Sequence, residues 1–100
     1  MKKSDVAVRA IRAAASEAQV VAAVKDYLAS LGKAEAALVP AEIMAFGLQQ
    51  AEEAIQSALY LVHTRMLRLD NEEDTAVLSD VTLVFSTAAK RIAALAKDTT

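Results

Sequence analysis

The chain has 100 residues, 55% of them apolar, and its 11 basic and 13 acidic side chains leave a net charge of −2. That length makes one domain, able to bury a core but of modest stability alone. The near balance of charge lacks the footprint of a nucleic-acid binder. The absence of cysteine excludes disulfides, a thiolate nucleophile and cysteine-ligated zinc, and two glycines and one proline argue against a turn-rich β architecture.

Residues 5–15 (DVAVRAIRAAA) are helix-prone, with Val8, Ile11 and Ala15 on one side. Periodicity does not decide between a separate helix, an extension of the next one and a frayed tail, so residues 1–15 are set apart as a semi-independent segment of a single domain. Asp5, Arg9 and Arg12 interrupt any signal-peptide core, no apolar run approaches a membrane span, and the expected location is cytoplasmic. Ser16, Glu17 and Gln19 read as a capping box that starts a helix running to Leu31. It buries Val20, Val21, Val24, Tyr27, Leu28 and Leu31. Gly32 is expected to stop it in the left-handed conformation common just past a helix end.

The stretch 33–39 (KAEAALV) reads as a partly helical connection. Pro40 then suits the first turn of a long second helix reaching Asp70, with Leu38 and Ile43 at staple spacing and Val39 a poor cap. One face of this helix reads Met44, Leu48, Ala51, Ile55, Ala58, Val62, Met66, Leu69, the 3-4 spacing of a buried stripe. The run Asp70-Asn71-Glu72-Glu73-Asp74 ends that helix and caps the next. The last helix carries Leu78, Val81, Phe85, Ala88, Ile92 and Leu95 in phase, with Lys90, Arg91 and Lys97 toward its negative end. So short a connection makes the last two helices antiparallel neighbours.

The expected fold is therefore an all-α antiparallel bundle of three main helices, with a short N-terminal fourth left open. At 1.5 Å per residue the long helix spans about 45 Å and the last about 40 Å, against about 25 Å for the first. Part of the seam between the two long helices stays open unless residues 5–15 or another subunit fill it. That mismatch gives one reason to expect an oligomer.

A second reason lies on the opposite side of the long helix. Phe46, Tyr60 and Leu67 recur there at heptad intervals, with Glu53 in the remaining slot, and a helix needs only one apolar stripe to join its own fold. Tyrosine and phenylalanine are enriched at interface cores, so this side is expected to face a partner, with packing beneath residues 5–15 or 33–39 as the rival. Gly47, Ala51, Ala54 and Ala58 form a flank of small residues suited to close helix approach, within the monomer or across a dimer. Arg65 stands where that heptad calls for an apolar residue, its stem expected along the core and its head reaching water or a carboxylate.

His63, the single histidine, lies on the polar strip Glu42, Gln49, Gln56, His63, Asp70. A lone exposed histidine on a long helix is how phosphotransfer bundles present a phosphoacceptor, and Arg65 and Arg68 could serve a phosphate. No glycine clears the approach, however, and no ATP-binding portion is expected to follow. Nothing has the spacing of a metal site, a nucleophile–base pair or a phosphate loop, so no cofactor or metal is expected. The expected function is non-enzymatic: a helical interaction module that binds itself, as a homodimer, or a partner helix. The alternative is a phosphotransfer or sensor-type bundle using His63.

Overall fold

The computed structural model describes residues 2–39, 51–68 and 72–98. Every regular element among them is an α-helix: α1 Lys3–Ala13, α2 Glu17–Ser30, α3 Lys33–Leu38, α4 Ala51–Met66 and α5 Glu72–Asp98. The expected main helices correspond to α2, α4 and α5, and α1 and α3 add to them. The proposed start of the long helix at Pro40, its staple residue Ile43 and the cap residues Asp70 and Asn71 lie outside the described residues.

The question left open at residues 5–15 has a definite answer. They form α1, whose Ser4, Ala7, Val8 and Ile11 are buried at the spacing of one helix face. Ala14 continues this face, while Ala15, expected there, is exposed. The chain leaves the helix at Ala14, which is already extended (ψ 134°), so the next residue turns outward. α1 packs against both α2 and α5. It thus covers part of the α5 surface that three main helices alone leave open, which weakens the length mismatch as an argument for an oligomer.

Local chemistry explains the break between α1 and α2. Ser16 takes the N-cap position, its Oγ accepting from the Gln19 backbone N–H at 3.2 Å. The Gln19 side chain reaches back to accept from the Ala15 N–H at 2.6 Å, so two donors at the helix start are satisfied together. The end of α2 departs from expectation. Gly32 has φ −66° and ψ 164°, extended rather than left-handed. The helix stops one residue earlier, at extended Leu31, whose N–H bonds the Leu28 carbonyl. Gly32 instead begins α3: its carbonyl accepts from Ala36 at 2.8 Å and its N–H donates to Glu35 Oε1 at 3.2 Å.

α5 is the common partner on which α1, α2, α3 and α4 all pack. At 27 residues it spans about 40 Å, nearly the 44 Å long axis of the molecule. Its expected stripe is the core: Leu78, Val81, Phe85, Ala88 and Ile92 are buried, Val84 joins them, and Leu95 packs at the margin. α4 contributes Val62 to this core, with Leu59, Leu61 and Met66 partly buried against it. α4 also ends four residues before the expected Asp70, where Leu67 still bonds the His63 carbonyl but Arg68 bonds Arg65 in a tightened turn.

Two polar contacts fasten α1. The Arg91 guanidinium donates through Nε and Nη2 to the Ala14 carbonyl, at 3.0 and 2.7 Å, closing the C-terminal end of α1 with a positive charge. At the other end Lys3 Nζ lies 3.2 Å from Glu35 Oε1. The Gly32 N–H, and then Lys3, hold the Glu35 carboxyl below its ordinary value. Both partners of that bridge are exposed, so it contributes little to stability.

Candidate interaction face

The outward side of α4 is built by the same periodicity that buries Val62. Tyr60 and Leu67, seven residues apart, point away from α5 and are 72% and 75% exposed. Gln56 and His63, also exposed, fall on this side. Spacings of three from Tyr60 and four to Leu67 place His63 between the two apolar residues, on one face. The polar strip that periodicity assigns to His63 is therefore not separate: over this turn it and the apolar stripe run side by side. Thr64 Oγ1 donates to the Tyr60 carbonyl at 2.9 Å, so its hydroxyl is turned back to the helix.

The rival reading, with these side chains beneath residues 5–15 or 33–39, is not what the fold does. α1 and α3 pack on other surfaces, and Tyr60 and Leu67 stay open. Arg65 is exposed rather than laid along the core. Met66 and Val62 already supply the apolar contacts of α4 there, leaving the arginine in water. Phe46 and Gly47, and the side chains of Ala51, Glu53, Ala54 and Ala58 within α4, lie outside the described residues.

Two clefts flank α1, and sequence periodicity gave neither. One, of about 270 Å³, lies between α1 and α2, lined by Val6, Ala7, Ala10, Ala23 and Tyr27 with Lys3 and Asp26 at the rim. Burial, with the Asp80 and Glu35 charges secondary, pushes the Tyr27 phenol up to about 12, so it remains neutral and is no base at ordinary pH. The other cleft, of about 290 Å³, lies between the last turn of α1 and the second half of α5. Both depend on where α1 docks, and that is fixed by contacts such as Arg91 to Ala14 that span 77 residues of sequence.

Among the described residues no group of histidines and carboxylates could hold a metal ion, and no helix is long and apolar enough to cross a membrane. No protein-family model, curated protein or solved structure matches the chain.

Proposed function

We propose that this chain is a small non-enzymatic helical module that associates, with a second copy of itself or with a partner helix, through the outer face of α4. The observation that carries the reading is the exposure of Tyr60 and Leu67, at 72% and 75%, on a helix whose opposite side holds Val62 at 0%. Neither belongs to the core formed by the described residues. A phenol ring and a leucine one heptad apart suit knob-like packing against another helix, with polar Gln56 and His63 beside them to fix the register. A homodimer is the simplest such assembly, because a two-fold axis pairs one surface with itself.

Size exclusion with light scattering tests this directly. Wild type is expected to run as a dimer, and Tyr60→Asp combined with Leu67→Glu to run as a monomer with its helical circular dichroism intact, since charges on this face are solvated once the partner leaves. A monomeric wild type that also captures no helical partner, or a double variant of unchanged mass, removes the reading.

The exposure of His63 favours a second reading, histidine phosphotransfer, because a phosphoacceptor must be reachable. The two readings compete for one surface: a partner seated on Tyr60 and Leu67 covers the imidazole between them.

A further inference from the structure

The cleft between α1 and α5 gathers positive charge that the fold does not neutralise. Arg12 projects from the last turn of α1, and Lys90 and Arg91 face it from α5 with Ser86 and Thr87 one turn before them. None of the lining residues is acidic, in a chain whose net charge is −2. Arg12 and Lys90 are exposed, and among the described residues neither side chain makes an ion pair or hydrogen bond. Lys90 also lies eight residues before the end of α5, too far to serve the dipole of its last turn.

Arg91 differs from the other two. Its Nε and Nη2 are anchored on the Ala14 carbonyl, which holds the half-buried guanidinium in place, and among the described residues three of its five N–H donors remain unspent. The entropy of fixing that side chain is therefore met by folding and not by a ligand. Thr87 spends its hydroxyl proton on the Leu83 carbonyl at 2.8 Å, whereas the Ser86 bond to the same carbonyl is longer, 3.3 Å, and more easily redirected. Leu83, 44% exposed, gives the cleft an apolar end.

We propose that this cleft binds an organic phosphate monoester, its dianionic head on Arg12, Lys90 and Arg91 and its organic part against Leu83. Three cations drawn from two helices match the three oxygens and nearly two charges of such a head, where a carboxylate would occupy only part of the set. The same chemistry can come from a free metabolite or from the head group of phosphatidic acid. The proposal is independent of the α4 face.

The test is a titration of the isotope-labelled full chain with phenyl phosphate at low salt, followed by amide NMR shifts. Saturable shifts are expected at Arg12 and across 86–91, and Arg12→Ser with Lys90→Ser should weaken binding about tenfold or more, the loss expected for a charged hydrogen bond. Both positions are exposed, so circular dichroism should not change. A control with the same loss of charge elsewhere, Lys25→Ser with Lys33→Ser, should keep the affinity within about twofold, set only by long-range attraction that salt screens. Shifts scattered over all basic residues without saturation, or equal weakening in the control, would overturn the proposal. Sedimentation with phosphatidylcholine vesicles containing phosphatidic acid, lost in the Arg12/Lys90 variant, identifies the lipid as source. Phenyl phosphate binding without sedimentation identifies a free ligand, and failure of both probes removes the site.

Discussion

α1 and the outer face of α4 pose the same problem and resolve it differently. Each presents apolar side chains that the expected three-helix arrangement does not use. In α1 they turn inward, and Ile11 ends fully buried between α2 and α5. On α4, Tyr60 and Leu67 remain more than 70% exposed. An uncovered apolar surface argues for a partner only after the chain's own spare segments have been placed. The α5 surface left over by three main helices fails that condition, because α1 packs on it. The Tyr60 and Leu67 face meets it among the described residues.

Side-chain truncation separates the buried surfaces from the open one. Phe85→Ala should cost about 3–5 kcal/mol and Ile11→Ala about 2–5 kcal/mol, since both side chains are fully buried and the sites cannot collapse completely. Tyr60→Ala combined with Leu67→Glu, compared with Leu67→Glu alone once light scattering shows both to be monomers, should differ by no more than about 0.5 kcal/mol. Urea unfolding followed by circular dichroism gives all three values. An Ile11→Ala variant as stable as wild type would mean that α1 is an appendage and that α2 and α5 hold together without it.

The difference in legibility between the two regions has a physical cause. Stripes that repeat every three or four residues are local, so the core of α5 and the burial of Val20, Val24 and Tyr27 could be read from spacing alone. The Ser16 cap was equally legible, because its hydrogen bonds stay within four residues. Gly32 misled because a glycine after a helix serves as well at the start of the next one, and here the Glu35 carboxylate three residues on decides which. Where α1 docks was not legible. Val8, Ile11 and Ala14 make a usable face, but nothing local names the helices that receive it. For the candidate face, the heptad spacing of Tyr60 and Leu67 was visible in the sequence. The place of His63 between them needed the two stripes to be laid on one helix.

The contact that fixes α1 is expected to contribute a smaller effect. Arg91→Met keeps most of the aliphatic stem but withdraws both donors from the Ala14 carbonyl. Loss of a charged hydrogen bond to a helix end should cost about 1.5–3 kcal/mol. Hydrogen exchange should localise part of that loss to 3–14, with amides of α4 little affected by comparison. A uniform loss of protection throughout the molecule would show instead that α1 and the rest of the core open as one cooperative unit.

The smallest expected effect is also the one that separates the two readings of α4. His63→Gln replaces an exposed side chain beside Tyr60 and Leu67 with a polar one of similar size. Thermal stability should change by no more than about 0.5 kcal/mol, as for surface positions away from special features. If the face is an interface, the oligomer mass should also hold, because an amide of similar size can take the same place between the two apolar side chains. Phosphotransfer cannot survive the change, since only the imidazole nitrogen can serve as the nucleophile. The expectation for wild type incubated with cell extract and labelled ATP is no acid-labile phosphohistidine. A labelled band that disappears in the Gln variant would make His63 the functional centre of this face, and Tyr60 and Leu67 would then be the surface on which a phosphate donor docks.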